Sequence, residues 1–322
     1  MFSELPEAVA AVITDSQFVE FATLTATGEP LDTPLLGFAD PARGTIDMTT
    51  GLSYPIKAER ARRNPKVGLF FDGTGEAGSP MVSVSALVAV RDADIQANAE
   101  RYVRASKSML PWISFGCSPE EARAAVWYWS RIWLECTPVR VRWWQSLAAA
   151  DAPPEEWTAT PPVSAPVSDP APKGTMSPAP RWFEADWRAR AAAVLAVAPS
   201  PHLTLVDGDG FPLPFRTRDA ELVDRGFRVD VPRGHPWPAL QGPASLAFGI
   251  LGIFVGTVQP VDERHALFVV DRILPDHPLV ANPREIFAPE PATRRALTER
   301  LERELARRGQ PMPELSPELF GY

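Results

Sequence analysis

The chain has 322 residues, a formal net charge of −8, and 45% hydrophobic and 22% charged residues, the composition of folded domains long enough for two sizeable cores. An acidic surplus argues against a general binder of nucleic acid or of anionic membrane, since both need clustered positive charge. Two cysteines, Cys117 and Cys136, cannot build a disulfide framework, and their spacing is no metal or redox motif, so reduced thiols in a cytoplasm are the expectation.

The first residues, MFSELPEAVAAVITDSQFVEF, carry acids and no basic lead, unlike a secretory signal. Residues 4–21 read as an amphipathic helix, with Val9, Val12, Ile13 and Phe21 available for packing. Strands are predicted near 21–27, 31–39, 44–50, 67–72 and 81–91, separated by Gly, Asp and Pro turns. Short, regularly spaced strands with one interposed helix point to a small antiparallel barrel.

The interposed helix lies in Asp47 to Phe71, DMTTGLSYPIKAERARRNPKVGLFF. Thr49 and Thr50 end a strand, Gly51 breaks it, and Ser53 is a candidate N-cap with Pro55 in the first turn. Lys57, Arg60, Arg62 and Arg63 follow on the helix, and Asn64-Pro65 stops it. Hydroxyls, free N–H groups at a helix start and a lysine one turn in together make an anion site of the kind that holds a phosphate. One helix arginine can add a bidentate contact.

Further on, residues 93–107 read as helix, and Ser118-Pro119-Glu120-Glu121 is a helix start with cap, N1 proline and first-turn acids. Trp127, Trp129 and Trp133 have the spacing of packing residues. Trp133 to Trp144 alternates as a last strand, with Pro138 marking a bulge or edge. Residues 148–181 are rich in Ala, Pro and Ser and read as an extended linker. A helix near 183–197 opens the second half, strands at 253–259 and 264–274 close its barrel, and a charged helix over 292–308 carries Leu297, Leu301 and Leu305 on one stripe.

The second half echoes the first. Gly28-Glu-Pro-Leu matches Gly210-Phe-Pro-Leu, and Arg43-Gly44 matches Arg225-Gly226 at the same offset of 182 residues. Gly51 falls near Gly234, and Asn64-Pro65 near Gly242-Pro243. The segment matching Thr49 to Lys57 reads Val-Pro-Arg-Gly-His-Pro-Trp-Pro-Ala, without threonines or lysine. The resulting division is residues 1–147, a domain with an anion site; 148–181, a linker; 182–288, a degenerate second domain; and 289–322, a helix and tail.

The stretch from Thr49 to Phe71 resembles the phosphate-binding strand–helix–strand of the FMN-binding split barrels related to pyridoxamine 5′-phosphate oxidase. The Gly-turn hairpin Phe21–Pro34 and the Trp143-Trp144-Gln145 strand end agree with that family. The resemblance implies two tandem split β-barrels with helices (α+β) forming an intramolecular pseudo-dimer, with one cofactor site per chain between the barrels. It assigns Thr49, Thr50, Ser53, Lys57 and Arg62 to the phosphate and Trp144 to the flavin ring. Arg233 and His235 are the residues left for a weaker second site. Ile56 stands where true pyridoxamine oxidases carry Arg, and the Gln expected near Met81 is missing; both departures argue against that substrate.

The implied activity is an FMN-dependent oxidoreductase acting on a small molecule that the sequence does not identify. No catalytic acid, base or metal ligand set stands out. The rival is a non-catalytic barrel holding flavin, deazaflavin or haem; haem would need an axial ligand from among His202, His235, His265 and His277. A third reading, a partner-binding pseudoenzyme docking through its linker, lacks a PxxP pattern flanked by basic residues. The expected partners are a small-molecule substrate and neither nucleic acid nor membrane, and the expected state is a monomeric pseudo-dimer or a weak homodimer.

Overall fold

The computed structural model describes residues 1–72, 79–107, 117–178, 186–198, 200–274, 287 and 289–321. Six antiparallel strands in the first half, β1 (Phe18–Leu24), β2 (Pro30–Asp40), β3 (Thr45–Gly51), β4 (Lys66–Phe71), β5 (Met81–Arg91) and β6 (Arg131–Trp144), run in the order β3-β2-β1-β4-β5-β6. Pairing of β3 with β6, Ile46 opposite Cys136 through Gly51 opposite Arg131, closes the barrel. Phe21, Met48, Leu69, Val84, Val88 and Leu134 fill it.

Helix α1 (Glu7–Asp15) buries Val9, Val12 and Ile13 against this core. It stops short of the expected residue 21, because Phe18 to Phe21 joins β1 and pairs with Leu36 to Thr33 of β2. The β-favouring aromatic and branched side chains of that run win over the helical periodicity once a partner strand is present. Pro138 does mark a bulge: Ser85 faces Arg140 but Ala86 faces Pro138, leaving Val139 unopposed. Helix α2 (Ile56–Arg63) lies between β3 and β4. Asp94 caps α3 (Ile95–Ser106), and Ser118 with Glu121 forms a reciprocal capping box on α4 (Pro119–Ala124), followed by α5 (Val126–Trp129). Trp127, Trp129 and Trp133 are core residues, with Trp129 stacked on Phe287 at 5.4 Å.

The Pro-rich span is not a free spacer. Glu155–Thr158 forms β7 on the outside of β6, and the Asp169 carboxylate accepts from the Asp92 and Ala93 N–H groups at 2.8 and 2.9 Å. A proline-rich chain has little conformational entropy left to lose, which makes such lashing inexpensive.

The second sheet comprises β8 (His202–Val206), β9 (Pro212–Arg216), β10 (Asp219–Val223), β11 (Gly226–Asp230), β12 (Gly242–Ala247), β13 (Ile253–Pro260) and β14 (His265–Ile273), ordered β10-β11-β14-β13-β12-β8-β9. Its pairings reproduce those of the first barrel, with the strand equivalent to β2 broken into β9 and β10 at Thr217 and Arg218. The two outermost strands are thus consecutive in the chain, and the sheet curls until its ends meet at that break. The hairpin glycines Gly28 and Gly210 both adopt φ of 84°, a left-handed conformation that favours glycine. Helix α6 (Trp187–Leu195) packs on this half through Ala191 and Val194.

The C-terminal helix (Pro291–Arg308) returns to the first barrel, burying Leu297, Leu301 and Leu305 in its core. Glu304, fully buried, holds Arg307 and Arg308 at 2.8 and 2.7 Å, and Arg308 reaches Asp92 at 3.0 Å. Buried charges persist only when paired in this way.

The two halves meet along β1, β2, β4 and β5 on one side and β8, β9 and β12 on the other. Their backbones touch at Gly68, where an added Cβ would stand 1.7 Å from the Pro212 carbonyl oxygen. The seam is partly polar: Ser245 Oγ accepts from the Asp32 N–H at 3.1 Å, and Thr204 donates to the Asp32 carboxyl at 3.3 Å. Burial, then the neighbouring Glu20, pushes the Asp32 carboxyl well above the usual carboxylate range.

Gly68→Ala is expected to lower stability by about 1–3 kcal/mol, the scale of an overpacked site. Gly208→Ala, with nothing within 4 Å of the new methyl, should leave it nearly unchanged. Chemical denaturation of the two variants checks this, and similar midpoints would show that the halves do not depend on the Gly68 contact.

Candidate functional site

β3 delivers Thr49 and Thr50 to a tight corner. After Gly51 the chain turns, with the Leu52 N–H donating to the Ser130 carbonyl at 2.9 Å and the Tyr54 N–H to the Gly51 carbonyl at 2.9 Å. Helix α2 then starts at Ile56 with Pro55, not Ser53, in the N-cap position. Proline suits that place because its fixed φ is compatible with a helix start and it has no N–H to satisfy. The N–H groups of Ile56, Lys57 and Ala58 precede the first helical bond, Glu59 to Pro55, and are the donors every helix start leaves over. Asn64 ends the helix in an extended conformation, as a residue before proline should.

The expected site residues are only partly gathered here. Thr49 and Thr50 are buried, and the Thr50 hydroxyl donates to the Tyr54 carbonyl at 3.3 Å. Ser53 lies under the C-terminal helix: its hydroxyl donates to the Leu297 carbonyl at 3.3 Å, and Arg300 Nε donates to its carbonyl at 2.9 Å. Arg62 points away, tied to Asp92 at 2.8 Å and to the Asp169 carbonyl. Trp144 is at the far end of β6, where its indole donates to the Gly234 carbonyl at 3.1 Å and its ring meets Phe215 edge-on at 4.7 Å. The structure therefore brings Thr49, Thr50, Ser53 and Lys57 to one corner and leaves Arg62 and Trp144 outside it.

Lys57 is half-buried and has no carboxylate or hydrogen-bond partner among the described residues. Burial lowers its pKa to about 8, and the charges of Arg60 and Arg131 add to the effect. Arg60 is lowered to about 10 by burial, then by Arg63 and by Arg272 of the second half. Arg131 begins β6 opposite Gly51. Its guanidinium lies 4.2 Å from the Tyr102 ring and 4.2 Å from the Tyr128 ring, a cation–π arrangement that holds it without neutralising it. Its Nη1 is 3.6 Å from where a Gly51 Cβ would stand, and its Nε is buried with no acceptor.

Neighbouring arginines behave differently. Arg43, Arg62, Arg91, Arg101, Arg307 and Arg308 each reach a carboxylate. Lys57, Arg60 and Arg131 form a positive corner at a helix start with no carboxylate partner among the described residues, an environment that favours a bound anion. Sequence reading missed Arg131 because only the closure of β3 onto β6 sets it beside Gly51.

The matching corner of the second half is filled. Gly234 donates its N–H to the Ala150 carbonyl at 2.9 Å, and an added Cβ would stand 2.0 Å from the Ala152 carbonyl oxygen. The Trp237 indole donates to the Leu213 carbonyl at 2.9 Å, and His235, whose pKa burial lowers, stacks on Trp237 at 5.4 Å. The Arg233 N–H donates to Asp151 at 3.0 Å. Of the other histidines, His202 lies between Glu20 and Asp72, His265 pairs with Asp262, and His277 lies outside the described residues.

No family model and no curated protein matches the sequence. Among solved structures, the chain is similar to a putative pyridoxamine 5′-phosphate oxidase from Listeria innocua, at 20% identity over 44% of this chain and 98% of that one, with a TM-score of 0.32. It is similar to an FAD-binding protein from Mesorhizobium loti, at 18% identity over 43% and 93%, TM-score 0.31. It is also similar to a heme storage protein from Vibrio cholerae, at 12% identity over 42% and 89%, TM-score 0.30. Each likeness spans less than half of this chain; the split-barrel architecture rests on the strand order above. No helix of the described residues is long and apolar enough to cross a membrane.

An unpaired, half-buried cation destabilises the fold that carries it. Lys57→Met should therefore raise stability by about 1 kcal/mol, a figure discounted for partial exposure. The lowered pKa means the wild-type penalty is fully present below about 8 and fades as pH rises towards 10.5. Urea unfolding on both sides of that window checks it; a stability gain independent of pH would show that the charge is not the cause.

Proposed function

We propose that the protein binds FMN by its phosphate at the Lys57 corner, one cofactor per chain, and acts as a flavin-dependent oxidoreductase on a small-molecule substrate in the cytoplasm. The observation that carries this reading is the cluster of Lys57, Arg60 and Arg131, with no carboxylate among the described residues to neutralise it. Lys57 and Arg131 would meet the phosphate from two sides, the N–H groups of Ile56 to Ala58 would complete its hydrogen bonds, and Thr49 would line the approach. FMN supplies hydride and electron transfer when bound; the protein contributes anchoring and water exclusion. The filled corner at Gly234 supports one site rather than two. With both barrels in one chain, the expected state in solution is a monomer.

A second reading, a barrel that holds flavin, deazaflavin or haem without turnover, is favoured by one feature. The hydroxyls of Thr50 and Ser53 are already spent on carbonyls of the protein, so the corner offers a ligand cations and N–H groups rather than hydroxyl donors.

Titration with FMN by fluorescence quenching, with turnover assayed under a nicotinamide reductant, tests both readings. A single FMN should bind per chain, and Lys57→Ala and Arg131→Ala should each weaken binding about 10- to 100-fold, the worth of a charge-assisted hydrogen bond. Arg233→Ala should leave binding unchanged. Affinity should fall as pH rises through about 8, where free Lys57 loses its proton. Equal losses in the Lys57 and Arg233 variants would overturn the single site, binding without turnover would favour the second reading, and no binding would overturn the flavin assignment.

A further inference from the structure

Arg131 is held at the Lys57 corner by aromatic rings. Its guanidinium lies over the Tyr102 ring and over the Tyr128 ring, 4.2 Å from each centroid. Tyr102 is a buried residue of α3, packed on Phe38 at 6.1 Å and on Trp129 at 5.9 Å. Tyr128 belongs to α5 and meets Trp127, Trp129 and Phe287 at 5.8, 5.0 and 5.3 Å. The two phenols share a hydrogen bond of 3.2 Å, which ties α3 to α5. Burial pushes the Tyr102 phenol well above its ordinary range, so this ring meets Arg131 neutral and not as a phenolate.

Among the described residues, every other cation that lies over a ring also has an oxygen acceptor. Lys66 donates to the Asp209 carbonyl, Arg101 reaches Asp47, Arg188 donates to the Asp224 carbonyl and Arg300 to the Ser53 carbonyl. Arg131 has two rings and no oxygen partner among the described residues. It is half-buried, and of its nitrogens only Nε is enclosed without an acceptor, so the Nη groups keep contact with solvent beside Gly51. A ring attracts the charge of a guanidinium without consuming its N–H groups as a carboxylate does. An arginine held in this way keeps its charge and its forked donors unspent, and loses less freedom when an anion arrives.

We propose that Tyr102 and Tyr128 are positioning residues that clamp Arg131 as a preset fork for the phosphate that Lys57 also meets. This inference deepens the reading of the corner as an anion site and rests on it.

FMN and, separately, inorganic phosphate, titrated into the full chain by calorimetry and by NMR of the Arg131 side chain, test the clamp. In the free protein the Arg131 Nη groups should already give separate signals, the mark of restricted rotation, and either anion should shift the Nε–H resonance. Tyr128→Leu should weaken binding about 5- to 10-fold, the worth of a cation–π contact. Tyr128→Phe, which keeps the ring, should restore the affinity to within about twofold of the wild type. In an Arg131→Ala background Tyr128→Leu should cost nothing further, because the ring acts only through the guanidinium. A ring that merely supports the fold would lower the melting temperature without that dependence on Arg131. A freely rotating guanidinium in the free protein, an unmoved Arg131 resonance, or equal losses from Tyr128→Leu with and without Arg131 would overturn the proposal. Phosphate binding with these dependences but no FMN binding would overturn the flavin reading and keep this one. FMN binding at wild-type affinity in Tyr128→Leu would do the reverse, and binding of neither anion would overturn both.

Discussion

The contact on which the rest of this molecule depends is the close approach of β4 to β9, where the absence of a side chain at Gly68 lets the Pro212 carbonyl reach the strand. Two sheets can pack this tightly only where small residues remove the usual spacing of side chains. Around that point the seam buries Asp32, Thr204 and Ser245 with mutual hydrogen bonds, and it carries His202 and Arg216 to the carboxylates of the first half. The close approach also sets the positive corner within reach of Arg272 from β14.

The two corners that follow the third strand of each half meet different fates, through related means. In the second half, Trp144 and residues 150–152, the chain that leaves β6 of the first half, pack against Gly234 and occupy its corner. In the first half, the C-terminal helix that follows the second sheet lies over Ser53. Each corner is covered by the segment that leaves the other half. The difference is charge: at Gly234 the covering segment brings the carboxylate of Asp151 to Arg218 and to the Arg233 N–H, whereas beside Ser53 the cations Lys57, Arg60 and Arg131 have no carboxylate partner among the described residues.

Much of the fold was legible from local sequence. The Ser118 capping box, the bulge at Pro138, the Asn64-Pro65 stop and the leucine stripe of the last helix depend on residues within a turn or two of each other, and all appear as read. The correspondence of Gly28 with Gly210 survives as an identical φ, since a tight turn constrains its glycine whatever surrounds it. The readings that needed correction were those a distant partner decides. Phe18 to Phe21 became strand because β2 was there to pair with it, and Glu155 to Thr158 because the outside of β6 was free.

The sequence by itself determined the barrel class, the strand–helix–strand around Lys57 and the loss of the threonines and lysine from the second half, because turn chemistry, hydrophobic period and residue identity are local properties. Only the tertiary structure decided which polar groups are free to act. It tied Arg62 to Asp92, turned Ser53 towards Leu297, set Trp144 in the opposite corner and placed Arg131 beside Gly51. The physical reason is that a side chain's availability is set by the partners and the burial that the rest of the chain brings to it, and those come from residues far away in the sequence.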